Sequence, residues 1–227
     1  MKPGMTAPHA GTAGTSAHMK PAVAGDADTL AEIIARSARQ KVSPFVVAID
    51  GHSGVGKSTL ARALAERLDA CVIDGDDFYA GGIELRMDSP ASRAAACIDW
   101  ARQRSVLEAL AAGRAAQWRA FDWDAFDGRL RDDPTKVGPG PVVILEGVYA
   151  ARPELADLLD LRVVLVAPDE VRLARLAARE GTIGPWERQW HEAEEFYFEA
   201  VMPTASFDVV VTASTDRACE SSRQGHS

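Results

Sequence analysis

The sequence predicts an α/β fold: a parallel sheet covered by helices on both faces. Short apolar, β-branched runs recur along the chain, and stretches of helical periodicity lie between them. The runs lack the polar alternation of a half-solvated strand, so both of their faces are expected to be buried. The first run leads directly into a glycine-rich turn, GHSGVGKST, which opens a helical pattern.

The elements follow in order. Asp28 is expected to cap a first helix carrying Leu30, Ile33 and Ile34. FVVAID (45–50) reads as a buried strand. The next helix, 58–68, places Leu60, Leu64 and Leu68 four apart. ACVIDGD (70–76) is the second strand, and a helix over 98–110 carries Ile98, Val106, Leu107 and Leu110. Residues 115–140 are irregular and end in the breaker run KVGPGP. VVILEG (142–147), LRVVLVA (161–167) and FDVVVT (207–212) complete the strands. Helices over 169–179 and 187–201 separate the last two. Residues 1–24 and 214–227 are small or polar and aperiodic, and are expected to be disordered tails around a folded domain of 25–213.

Composition narrows the functional classes. The chain has 227 residues, 47% hydrophobic and 26% charged, which suits one globular domain. A net charge of −8 gives no electrostatic case for nucleic acid or an anionic membrane as partner. The cysteines, Cys71, Cys97 and Cys219, match neither a disulfide framework nor a zinc site. The expected location is a reducing cytoplasm. No apolar run reaches the length of a membrane helix or the core of a signal peptide. The sequence does not specify an oligomeric state.

The glycine-rich turn fits G-x-x-x-x-G-K-[ST], with Gly51, Gly56, Lys57 and Ser58 at the fixed positions. Lys57 is the only lysine between Lys41 and Lys136, although arginine is plentiful. Gly51, Ser53, Gly54, Val55, Gly56, Lys57, Ser58 and Thr59 are therefore expected to wrap the phosphates of a nucleoside triphosphate. Glycines bring backbone N–H groups close to phosphate oxygens, and the helix start adds free donors and a positive dipole. Lys57 supplies a compact charge between β- and γ-phosphates, and Ser58 a hydroxyl for Mg²⁺. Guanine-reading GTPases use Asn-Lys-x-Asp, and this chain contains no asparagine.

Carboxylates follow at strand ends, where open α/β sheets bind ligands. IDGDDFY places Asp74, Asp76 and Asp77 beside the phosphate turn, as a base, a metal ligand or a structural cap. Glu146 ends VVILEG, where a carboxylate reaches magnesium through water. Arg172, Arg175 and Arg179 share a helix face, either closing over phosphates or forming a solvated face with Asp169, Glu170 and Glu180. Trp186, Trp190 and Tyr197 line a pocket or fill the core, and His191 reads as structural.

Over about residues 43–212, the order GHSGVGKST, DGDDFY, CIDW, AFDWDAFDGR, VVILEGVYA, RLARLAARE and MPTASFDVVV resembles the uridine–cytidine kinase and phosphoribulokinase group of P-loop kinases. The resemblance implies a five-stranded parallel sheet with flanking helices and an arginine-bearing lid. It implies transfer of the γ-phosphoryl group of ATP, with Mg²⁺, to a hydroxyl of a small molecule such as a pyrimidine nucleoside. By position, Asp76 resembles the catalytic aspartate and a metal neighbour, with Phe78 and Tyr79 beside the acceptor. Asp99 resembles the carboxylate that holds sugar hydroxyls, and Phe121 stands where nucleoside kinases carry a tyrosine. Arg129 and Tyr149 fall on the acceptor side of the same motifs, and Arg175 and Arg179 resemble lid arginines. Nucleoside kinases continue the Phe121 stretch to a histidine that reads the pyrimidine; this chain has WDAFDGR and no histidine there. A nucleotide-dependent regulatory ATPase is the alternative, and the Asp76–Asp99 pair argues against it.

Overall fold

The structure, a computed structural model, describes residues 22–213. The residues of the expected tails at 1–21 and 214–227, Cys219 among them, lie outside the described residues.

All five expected strands form. They are β2 (Phe45–Asp50), β3 (Ala70–Asp74), β6 (Val142–Glu146), β7 (Leu161–Val166) and β8 (Val209–Thr212). A sixth, β1 (Ala22–Ala24), pairs in parallel with β8. It lies in the stretch expected to be disordered. Its backbone groups complete an otherwise open sheet edge, and that pairing outweighs its weak composition. The parallel sheet runs β1-β8-β7-β2-β6-β3, six strands rather than five. The irregular stretch holds a small antiparallel ribbon, β4 (Ala116–Trp118) with β5 (Thr135–Val137).

Alternation within β2 explains why its sequence is apolar throughout. Val46 and Ala48 join one core with Ile73, Leu107, Leu110 and Tyr197. Phe45, Val47 and Ile49 join the other with Leu30, Ile34 and Leu64. Helices α1 (Ala27–Ala38) and α2 (Lys57–Leu68) cover the second face. Helices α3 (Pro90–Ala96), α4 (Trp100–Ala111) and α6 (Pro185–Phe196) contribute to the first. Helix α5 (Asp169–Glu180) lies over the C-terminal end of β2, where Leu176 and Arg172 abut Gly54.

Capping carboxylates set the starts of α1 and α4. Asp26, not Asp28, caps α1, its Oδ1 accepting from Thr29 N at 2.8 Å. Helix α4 begins at Trp100 because Asp99 caps it, accepting from Arg102 N at 3.0 Å. Such a cap satisfies one of the donors that a helix start leaves free.

Candidate active site

The phosphate loop joins β2 to α2. Gly51, Gly54 and Gly56 all adopt positive φ. At two of them space as well as conformation requires glycine. A Cβ on Gly51 would lie 2.3 Å from the Leu165 carbonyl oxygen, and one on Gly54 2.7 Å from that of Arg172. Lys57 is buried, and its Nζ donates to Gly51 O at 2.8 Å and His52 O at 3.0 Å. No side chain caps the first turn of α2, so its N–H donors and positive dipole face the loop. Ser58 and Thr59 are exposed there, while Val55 anchors the loop in the core.

Asp50 holds this loop from behind. It is fully buried and accepts from Gly51 N, Tyr149 N, Ala151 N and Tyr197 Oη at 2.8–3.0 Å. Burial nonetheless pushes its pKa up to about 6, against the pull of those donors and of Lys57. These bonds tie the phosphate loop to the turn after β6.

Sheet register brings the carboxylates together. Asp74 on β3 pairs directly with Glu146 on β6. Asp74 also caps the 3₁₀ turn Gly75–Phe78, accepting from Asp76 N at 2.9 Å. Both Asp74 and Asp76 present surface to a cleft of about 940 Å³, deep among protein atoms. Burial, with Asp76 and Glu146 as like charges, pushes Asp74 up to about 7. Burial raises Asp76 too, while Lys57 and Arg179 oppose the shift. Glu146 is raised by burial and pulled back by the Ser58 hydroxyl and Lys57. No cluster of three His, Cys, Asp or Glu with metal-binding geometry occurs among the described residues. The donor set, one hydroxyl and a few carboxylates, suits Mg²⁺, which keeps most of its waters and phosphate ligands.

The other end of the cleft is aromatic and acidic. Tyr79, Trp123, Phe126, Trp186 and Trp190 line it, with Tyr149, Asp124, Glu187 and His191. The Tyr79 ring contacts Trp123 at 4.9 Å and Trp190 at 5.5 Å between centroids. Trp186 and Trp190 are thus cleft walls. Tyr197 belongs to the core.

Several expected acceptor residues sit elsewhere. Phe78 is fully buried against Trp118, so it shapes the turn from below. Phe121 is buried edge-on behind Tyr79. Asp99 is committed to its helix cap and does not line the cleft. Arg129 is exposed and paired with Asp122, away from the lining. The three arginines also divide. Arg172 is buried beside Asp169 and Glu195. Arg175 donates to Val55 O at 3.0 Å, bracing the loop. Arg179 alone reaches the cleft, close enough to lower the pKa of Asp76.

Sequence reasoning passed over Asp50 and Glu194, and read His191 as structural. Asp50 ended a strand and gave no signal of its own. Glu194 accepts from Ser53 N at 2.9 Å and Ser53 Oγ at 2.5 Å. His191 brings an imidazole to the cleft from α6, although the stretch after Phe121 has none.

A family model described as AAA domain matches residues 47–189. A uridine kinase of Deinococcus deserti is 31% identical over 147 residues, covering 61% of this chain and 70% of that protein. A uridine kinase of Halobacterium salinarum is 25% identical over 196 residues, covering 75% and 84%. Among solved structures, a Bacillus stearothermophilus protein described as a possible uridine kinase superposes with TM-score 0.58 at 22% identity, over 80% of this chain and 98% of that one. D-glycerate 3-kinase from Cryptococcus neoformans superposes with TM-score 0.61 at 16% identity, over 85% and 97%. The chain belongs to the AAA-domain family and, by its curated relatives, to the uridine kinase-like P-loop kinases.

Proposed function

We propose that this protein is an ATP- and Mg²⁺-dependent kinase of a small, uncharged hydroxyl compound, with a pyrimidine nucleoside as the first acceptor to test. The observation that carries it is the placement of Asp76, where the phosphate loop meets the aromatic cleft. When bound, Mg²⁺·ATP supplies the γ-phosphoryl group and the leaving ADP. Ser58 and Glu146 are the residues that would hold the ion, with Asp76 as its neighbour. Lys57 neutralises phosphate charge from the loop, and the free amides of α2 add their dipoles. Asp76 takes the proton of the attacking hydroxyl. Arg179 lines the same cleft as Asp76, where it can offset charge on the transferring group. Arg175 keeps the loop in shape through Val55.

The cleft also favours an acceptor class. Asp74, Asp76, Asp77, Asp124, Glu187 and Glu194 line it, against Arg179 and His191 as the described lining groups able to carry positive charge. That balance disfavours a phosphorylated or carboxylated acceptor. The rings of Tyr79, Trp123 and Trp190 favour a flat one. Relatives named uridine kinase support the nucleoside reading. The test is ADP release over a panel of nucleosides, free sugars and sugar phosphates, with mass spectrometry of the product. Uncharged acceptors are expected to give the signal. A response confined to sugar phosphates would overturn the acceptor class.

A further inference from the structure

We infer that Glu194 is a positioning residue that couples the acceptor end of the cleft to the phosphate loop, so that filling one end orders the other. This rests on the nucleotide-binding reading above.

The inference starts from one helix. Glu187, Trp190, His191 and Glu194 recur on α6 at spacings of three and four, so they share a face. The first three line the acceptor end of the cleft. The fourth is buried, 5% exposed, and both of its carboxylate oxygens lie on Ser53 of the phosphate loop. The grip extends to His52, the residue before Ser53. Glu195 Oε2 stands 3.5 Å from His52 Nε2, and the Phe198 ring lies 4.2 Å from the His52 ring. One continuous segment therefore holds two consecutive loop residues while forming a wall of the acceptor site.

Charge does not explain this carboxylate. A buried anion beside an anion-binding loop is unfavourable unless its hydrogen bonds are strong and well placed. Here they are charge-assisted and bidentate on a single residue. They also leave the phosphate donors available. Ser53 N–H is turned to Glu194, whereas no side chain caps the first turn of α2. The grip and a bound phosphate are thus compatible, and the coupling is positive. A twelve-residue helix is about 18 Å long and stiff, enough to carry an ordering effect between the two ends.

The test is hydrogen–deuterium exchange on the full chain with and without Mg²⁺·AMP-PNP. Protection of the α2 peptide (57–68) reports nucleotide binding. Protection of the α6 peptide (185–196) reports the coupling. In the wild type both are expected to slow on addition of nucleotide, α6 by about fivefold or more. In Glu194→Ala, α2 should still be protected while the α6 response disappears. Glu194→Gln keeps an acceptor for Ser53 N–H and a donor for its hydroxyl, and should restore the response. If circular dichroism shows Glu194→Ala unfolded, Glu194→Asp withdraws the carboxylate by one methylene and should lose the same protection. A folded Ala or Asp variant with full α6 protection overturns the inference, as does a wild type in which α2 is protected and α6 is not. Absence of α2 protection in the wild type would instead overturn the nucleotide reading.

Discussion

The Tyr197 hydroxyl donates to Asp50 Oδ2 at 2.8 Å, inside the core and behind the phosphate loop. Tyr197 follows α6, and Asp50 ends the central strand, so this bond fastens the acceptor-side segment to the nucleotide-side strand. Asp50 carries three backbone N–H groups as well, from Gly51, Tyr149 and Ala151. Tyr149 itself has φ of 72°, a costly value for a tyrosine, and its amide bond to Asp50 helps hold it there.

Asp50 gives a pH-dependent stability with a definite sign. Its folded pKa, about 6, lies above the ordinary aspartate value of 3.8, so the folded state binds the proton more tightly. The stability this contributes is fully present below about pH 4 and is lost as pH rises through about 6. Relative to Asp50→Asn, the wild type is expected to lose denaturation free energy across that window. Tyr197→Phe removes a donor to the carboxylate, should cost about 1 kcal/mol, and should move the window upward. Urea denaturation at pH 4, 5, 6 and 7 measures both. A wild type that gains stability relative to Asp50→Asn across the window would contradict the assignment.

Lys57→Ala should lower kcat/KM for phosphotransfer by about 10²–10³-fold, the usual effect of removing one preorganised charge or donor. The fold should persist, because the Lys57 Nζ bonds two loop carbonyls at the site and no group of the core. Steady-state kinetics together with a thermal melt check this. Near wild-type turnover would remove Lys57 from the phosphate site.

Arg175 and Arg179 should differ. Arg175→Ala frees the Val55 carbonyl and slackens the loop, so it should raise KM for ATP more than it lowers kcat. Arg179→Ala removes the cation beside Asp76 and should lower kcat more than it affects nucleotide binding. Measuring kcat and KM for each variant separates the two roles. Identical profiles would return both residues to a common lid function.

The elements legible in the sequence were those with strong local signals. Five apolar runs gave five strands, and the glycine pattern with Lys57 gave the loop. β1 was missed because three residues of Ala-Val-Ala carry no signal until β8 is beside them. Position after a strand pointed to Asp74, Asp76 and Asp77 alike, and only the family resemblance singled out Asp76. Asp99 and Phe78 do not line the cleft, and the sequence could not show it: a cap and a core ring look the same in sequence as a ligand contact. Glu194 and His191 reach the site through α6, whose docking depends on contacts far apart in the chain, such as Glu194 to Ser53. No local pattern encodes that.

We propose that Asp76 carries phosphoryl transfer to a hydroxyl acceptor. The most direct measurement is product formation by Asp76→Asn, beside Asp74→Asn, with the Kd of Mg²⁺·AMP-PNP measured in parallel. Asn keeps the shape of Asp76 and removes its basicity. Transfer should fall by about 10²–10⁴-fold while the nucleotide still binds. Asp74→Asn should be milder, because its carboxylate is already occupied in capping the turn. Transfer at near wild-type rate in Asp76→Asn would contradict the account.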